Sequence, residues 1–404
     1  MADAVVDELT DFLETNWDPD LTVAEWWERL GTSGWAAPGW PVEWFGKGLS
    51  RDDVVRAQQT IAEFGALGAP GGLGLLLAGP TIVSHGTDEQ KDRYLRDIVT
   101  GQRSWCQLFS EPGAGSDLAG LQCRAVRDGD EFVVNGQKVW TSGGQVADLG
   151  MLIARTDSDL PKHQGITYFA LNMHQPGVDV RPLRELTGRA LFNEVFLTDA
   201  RVGADEMIGD LNQGWAVANT TLANERSGLG AGGGHAAASA AIPGSVMGHL
   251  ERRAGDFVPA GGGKKRKGGG GGPGAMFGAA EQMLTWLAQG NGTIHDPTIR
   301  QELMRLHTLN EIARYTNLRL KAAKEAGKAP GPEANTAKLS MSRIVRMSRD
   351  LGLRIMGAQG TLHAYDDALR PALTEATGNP FGPMVTELAL FSPAPSFYGG
   401  TDEI

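Results

Sequence analysis

The spacing of apolar and polar positions changes period twice along the chain. Up to about residue 103, apolar residues recur at helical spacing, in Trp26 to Leu30 and again from Asp52 to Phe64. Pro38-Gly-Trp-Pro41 and Gly79-Pro80 interrupt that pattern. Thr87, followed by Asp-Glu-Gln-Lys, places a hydroxyl cap ahead of acidic residues and predicts a further short helix. From Phe64 to Val83 there is no charge, but Pro70, Pro80 and several glycines predict a buried helix and loop rather than a membrane span.

From 104 to 210 the period falls to two. Glu131-Phe-Val-Val-Asn-Gly-Gln-Lys-Val-Trp-Thr141 reads as a hairpin turning at Asn135-Gly136, and Asp128-Gly-Asp130 turns the strand before it. Met151 to Arg155, Ile166 to Leu171 and Asn193 to Leu197 are further strand-like runs. Strands in succession without helices between them predict a small barrel or sandwich. After 211 the helical period returns. Asp296-Pro297 is an N-cap followed by proline at the first helical position, opening a helix to about Ala326. The loop 329–335 separates it from a helix over Thr336 to Met356. The Gly/Lys-rich stretch 261–274 has nothing to pack and reads as a flexible loop. The expected fold class is α+β multidomain: an N-terminal α-helical domain (1–103), a middle β-barrel (104–210) and a C-terminal α-helical bundle (211–404).

A length of 404 residues agrees with more than one domain. The formal net charge of −11 argues against nucleic acid as a partner. Two cysteines, Cys106 and Cys123, make no disulfide framework and fit a reducing compartment. The acidic, amphipathic N-terminus lacks the basic and apolar regions of a secretory signal, so a cytoplasmic protein without membrane insertion is expected. The histidines show no metal-ligand spacing, and His85, His163, His174 and His363 read as surface residues.

The densest chemistry lies in Ser110-Glu-Pro-Gly-Ala-Gly-Ser-Asp117. Pro112 stops a helix, while Gly113 and Gly115 let the backbone turn with its N–H groups exposed. Such a loop, with the Ser110 and Ser116 hydroxyls, suits a phosphate or a flavin edge; the alternative is a glycine-rich turn between domains. It is neither a dinucleotide fingerprint, a P-loop nor a nucleophile elbow.

Leu108-Phe-Ser-Glu-Pro-Gly-Ala-Gly-Ser-Asp-Leu-Ala119, with Val134-Asn-Gly-Gln-Lys-Val-Trp-Thr-Ser-Gly-Gly144, resembles the acyl-CoA dehydrogenase family. The likeness continues through Gly188, Phe192 to Phe196, Asn212 to Trp215 and Gly357-Ala-Gln-Gly360, and closes on Tyr398-Gly-Gly-Thr-Asp-Glu-Ile404; the segment from 232 to 290 departs from it. The resemblance implies helical, barrel and helical domains with FAD as cofactor. Gln107, Leu108, Phe109 and Ser110 would line the flavin ring, and Ser116 would contact the pyrophosphate or the CoA chain. Trp140, Thr141 and Ser142 would flank the ring, with Gly357, Thr401 and Glu403 as further cofactor contacts. Implied too are an acyl-CoA substrate, an electron-transfer flavoprotein as acceptor, and a homotetramer or heterotetramer.

The implied reaction removes an α-proton from a thioester while hydride leaves the β-carbon for flavin N5, and so needs a base and an enolate-oxygen donor. Many members place the base in a C-terminal Tyr-Glu-Gly-Thr, where this chain has Tyr398-Gly399-Gly400-Thr401. Others carry glutamate before arginine on a bundle helix, which matches Glu225-Arg226. Independently, Trp215, Ala218, Leu222, Glu225 and Leu229 form one stripe of a helix, placing Glu225 on the buried face. A buried carboxylate suits a general base, and a structural Glu–Arg pair is the competing reading. Gly399 would still offer its backbone N–H to the thioester oxygen, and the missing side chain leaves room for a bulky or branched acyl group.

Departures from the family pattern are Met276-Phe-Gly278 without its arginine, with Lys264 to Lys267 just before it, Arg354 where glutamine is usual, and an end soon after Thr401, as in a shortened C-terminus. Competing readings are a flavin-binding but non-catalytic partner subunit and an acyl-CoA oxidase.

Overall fold

The computed structural model of the chain describes residues 2–230, 249–258, 273–327 and 333–403. They fall into two compact units. The first holds the described residues through Leu183, together with Leu191–Glu225 and 249–258. The second holds Arg184–Ala190, the end of one helix from Arg226, and the described residues beyond 268.

The first unit begins with α1 (Ala2–Asn16), α2 (Val23–Thr32), α3 (Arg51–Phe64), α4 (Gly79–His85) and α5 (Asp88–Val99). Thr22 with Glu25 and Thr87 with Gln90 close reciprocal capping boxes on α2 and α5, the second as its sequence predicts. The Gln90 amide also donates to the carbonyls of Asp205 and Met207, both at 2.8 Å, and so ties α5 to the chain leaving the sheet. Trp26 and Trp27 are enclosed, and their indole N–H groups are satisfied by the carbonyls of Leu67 (2.6 Å) and Gly68 (2.8 Å). The uncharged stretch after Phe64 contains a π-helical turn, Gly74–Ala78, which runs straight into α4.

The sheet has seven strands: β1 (Trp105–Leu108), β2 (Arg124–Asp128), β3 (Glu131–Ser142), β4 (Leu149–Arg155), β5 (Ile166–Asn172), β6 (Val178–Leu183) and β7 (Phe192–Gly203). Their order is β1-β4-β2-β3-β7-β6, with β5 paired to β4. β1 runs parallel to β4 along Leu149 to Leu152, and β2 meets the same strand at Arg155. Nearly every residue of β4 and β5 is buried, which explains their unbroken apolar runs. Met151, Ile153, Tyr168 and Ala170 pack with Leu77, Ile82, Leu95 and Ala218, whereas Leu152, Phe169 and Leu171 pack with Phe132, Val134 and Val195. The sheet therefore buries one face against helices and curls the other around its own core.

The hairpin expected at Asn135-Gly136 does not form. β3 passes through it as one strand, and the turn lies at Asp128-Gly-Asp130, where Gly129 has φ 64°. The Asn135 side chain instead bridges to β7, accepting from the Asp199 N–H at 2.9 Å and donating to its carboxylate at 3.0 Å. Position 136 needs glycine because a Cβ there would lie 2.7 Å from Cys123 Cα.

The second unit contains α7 (Pro273–Gly290), α8 (Pro297–Glu325), α9 (Glu333–Met356), α10 (Arg370–Thr377) and α11 (Gly382–Phe391) around Leu284, Leu303, Leu306, Ile344, Leu351 and Val385. α8 opens where the Asp296-Pro297 signal places it, with the Asp296 carboxylate accepting from the Thr298 N–H at 2.7 Å. The segment Arg184–Ala190 joins this unit through His363, which meets the Thr187 carbonyl at 3.0 Å, and through an Arg189–Glu387 ion pair at 3.1 Å. Residues 261–272 of the glycine-rich stretch lie outside the described residues, and Pro273 already belongs to α7. No described helix is long and apolar enough to cross a membrane.

Candidate functional site

Two stretches separated in sequence interlock at the end of β1. Lys138, enclosed on β3, donates to a Glu111 carboxylate oxygen at 2.8 Å and to the Phe109 carbonyl at 3.0 Å. Glu111, also buried, accepts from the backbone N–H groups of Gln122 (2.6 Å) and Cys123 (3.0 Å). The Val139 N–H donates to the Ser110 carbonyl at 2.9 Å. The loop after Phe109 is thus fastened to the strand that leads into Trp140, so that Gln107 to Ser110 and Trp140 to Ser142 belong to one framework. Glu111 and Lys138 were not singled out from sequence. They lie 27 positions apart, and no local period marks them.

Within that framework Trp140 is unusual. Its backbone is left-handed, with φ 62°, where a register shift interrupts the β3–β7 pairing. A residue with a Cβ adopts that conformation at a cost of about 1–2 kcal/mol. Its indole is nevertheless 61% exposed and rests edge-on against Phe192, with ring centroids 5.9 Å apart. Backbone strain of this kind clusters at ligand sites. Thr141 is enclosed, and its hydroxyl has no hydrogen-bond partner. Ser142 is half-buried and Ser116 exposed. A Cβ added at Gly113 or Gly115 would meet no atom of the chain within 4 Å, so the space beside the loop is open to a bound group. An exposed aromatic platform, flanking hydroxyls and a glycine loop fit the flavin that the sequence resemblance implies.

Glu225 lies on α6 (Gly214–Gly230). Along its predicted stripe Ala218 is buried, while Trp215 and Leu222 pack partly buried against the core. Glu225 itself is half-buried, less enclosed than Val217, Ala218 and Thr221, whose helix face it shares. The side chains of Arg226 and Leu229 lie outside the described residues. The Gln107 amide donates to the Glu225 carboxylate at 3.5 Å, bringing together the first expected flavin contact and the expected base. α6 is held nearby by hydroxyls: Thr221 meets Thr81 at 2.9 Å and Tyr168 at 3.3 Å, and Thr220 meets His85 at 2.8 Å. His85 is therefore half-buried and bonded rather than a surface residue, and burial lowers its pKa. Burial raises the Tyr168 phenol well above its ordinary range.

In the second unit, Gly399 and Gly400 take φ values of 65° and 94°, a turn that suits glycine. Asp402 anchors this turn to α9 through Lys338 (3.3 Å) and Arg346 (3.1 Å). Hydrogen bonding from Ser342, then the contact with Lys338, holds its carboxyl below the usual range. Thr401 is half-buried, while Glu403 and Gly357 are exposed, Gly357 with φ 56° at the end of α9. Among the described residues no His, Cys, Asp and Glu side chains gather as a metal site.

Comparisons with known proteins place the chain in a family. The acyl-CoA dehydrogenase N-terminal, middle and C-terminal domain models match residues 1–102, 106–200 and 269–404. The acyl-CoA dehydrogenase IpdE1 of Mycolicibacterium smegmatis is 31% identical over 94% of this chain and 84% of its own length. The acyl-CoA dehydrogenase FadE34 of Mycobacterium tuberculosis is 47% identical over half of this chain, and that match spans 28% of FadE34. Among solved structures, the Tcur3481-Tcur3483 steroid ACAD superposes with a TM-score of 0.70 at 25% identity, covering 100% of this chain and 94% of that one. The chain belongs to the acyl-CoA dehydrogenases, a family of FAD-dependent flavoproteins.

Proposed function

We infer that the chain catalyses α,β-dehydrogenation of an acyl-CoA thioester to the trans-2-enoyl-CoA, with Glu225 as the base. The observation that carries this reading is the Gln107–Glu225 contact, which sets a carboxylate beside the strand end expected to line the flavin. FAD, when bound, supplies the hydride acceptor. Glu225 takes the α-proton onto its carboxylate, and the Gln107 amide limits the orientations that carboxylate samples. Gly399 keeps a backbone N–H for the negative charge that grows on the thioester oxygen. Ser142 and Ser116 are the hydroxyl contacts for the cofactor, and Trp140 is its aromatic wall. For the acyl group we favour a bulky, polycyclic class. The family resemblance puts position 399 beside the acyl group, where glycine adds no side chain, and one structural relative is a steroid ACAD. An electron-transfer flavoprotein as acceptor, and a tetramer of like or unlike subunits, complete the proposal on family resemblance.

The test is to purify the protein, load it with FAD, and mix it without oxygen with straight-chain, branched and steroid acyl-CoA thioesters. Bleaching of the flavin by one of these, with the enoyl-CoA as product, supports the reading. A yellow protein that no thioester bleaches favours the non-catalytic subunit. Fast peroxide formation in air favours the oxidase.

A further inference from the structure

The buried Glu111–Lys138 pair does more than join two segments. The Lys138 ammonium reaches the carbonyl of the peptide that links Phe109 to Ser110, at 3.0 Å. The peptide is trans, so its N–H points the opposite way, away from Lys138. Among the described residues, the Ser110 N–H donates to no acceptor of the chain. One end of this peptide is therefore held by a buried cation, and the other offers a donor at the loop assigned to the flavin. A cation on a carbonyl draws electron density through the amide and strengthens its N–H as a donor, more so where water is excluded. Lys138 is enclosed and the Glu111 side chain is only 7% exposed, so solvent screens this effect little.

We propose that Lys138, held by Glu111, polarises the Phe109–Ser110 peptide toward the flavin and raises the reduction potential of bound FAD. This rests on the flavin reading above. A donor to the ring favours the electron-richer reduced form, so strengthening it moves the couple toward reduction. Glu111 is a positioning residue: it fixes the ammonium on the Phe109 carbonyl and supplies its counter-charge, while its second oxygen holds Gln122. The competing account is structural, in which the pair only stiffens the loop. The two differ in what the potential follows: loosening tracks the melting temperature, whereas polarisation tracks the cation at position 138.

The experiment compares wild type with Lys138→Gln, Lys138→Arg and Glu111→Gln. It records the midpoint potential of bound FAD by dye equilibration, the FAD dissociation constant, and thermal unfolding of the FAD-free protein. Lys138→Gln should shift the reduced-to-oxidised ratio at fixed potential by about tenfold toward oxidised, ~30 mV for a two-electron couple. Lys138→Arg should restore most of that shift. Glu111→Gln leaves the enclosed ammonium without its counter-charge and less firmly set on the carbonyl, so it should lower the potential part-way in the same direction. A Lys138→Gln protein that melts earlier but holds the wild-type potential overturns the proposal, as does a Lys138→Arg potential no higher than that of Lys138→Gln. Should Lys138→Gln not fold, Lys138→Met takes its place, and a Lys138→Met potential equal to that of Lys138→Arg overturns the proposal. Wild-type protein that retains no FAD would reject the flavin reading itself, whereas FAD-loaded wild type with potential-neutral variants rejects this inference alone.

Discussion

Replacing Glu225 by glutamine removes the proposed base while leaving shape and volume nearly intact. The Gln107 contact at 3.5 Å sits at the outer limit of a hydrogen bond, and the new amide oxygen accepts it as the carboxylate did. The loss in stability is therefore expected below about 1 kcal/mol. α6 keeps its anchors, since Thr220 and Thr221 hold it through His85, Thr81 and Tyr168. The proton-transfer step loses a positioned base, typically about 10²–10⁴-fold, or roughly 2.7–5.4 kcal/mol at ~1.36 kcal/mol per decade. Rapid mixing of FAD-loaded wild type and variant with a thioester that bleaches wild type, without oxygen, measures this directly. Thioester affinity and the melting temperature should stay close to wild type. A variant that bleaches within one order of magnitude of wild type, with its fold unchanged, refutes the assignment of the base.

Further predictions follow from the same structure. Burial raises the Cys106 thiol to about 12 and the Cys123 thiol to about 11, so both should resist a thiol reagent at neutral pH in the folded protein and react once it is unfolded. Burial lowers the His85 pKa below its ordinary 6.5, so the unfolded chain binds the proton more readily; stability should fall as pH drops below that value, and His85→Asn should flatten this slope in melts across the range. Gly399→Ala places a Cβ on a backbone at φ 65° and should cost about 1 kcal/mol in thermal unfolding; a neutral or stabilising change would refute the strain argument.

Much of the architecture was legible because its signals are local. The Asp296-Pro297 start of α8 and the Thr87 cap of α5 each depend on a few adjacent residues, and both stand where the sequence places them. The helical–strand–helical order follows from period alone. Asn135-Gly136 misled because its asparagine serves Asp199 on a strand 64 positions away, and its glycine makes room for Cys123. β1 and β6 escaped because they are short: β1 has four residues, and β6 alternates only between half-buried and exposed positions. Glu225 is half-buried where its stripe suggests burial, since helical period reports the direction a residue faces and not how much of the chain covers it there. The Glu111–Lys138 clamp and the Asp402 anchor could not be read at all, for long-range ion pairs leave no periodic trace.

The π-helical turn Gly74–Ala78 carries one residue more per turn than an α-helix would. Deleting a single residue there would convert it to α-helix with the flanking faces nearly in phase, because the wide turn spreads its extra residue over about the same rotation. Thr81 and His85 would then still face Thr221 and Thr220, and the helix that bears Glu225 would keep its hydroxyl anchors. The same deletion a few residues later, inside α4, would turn whatever follows it by about 100°. The wide turn is therefore the place where this stretch tolerates a change of one residue in length.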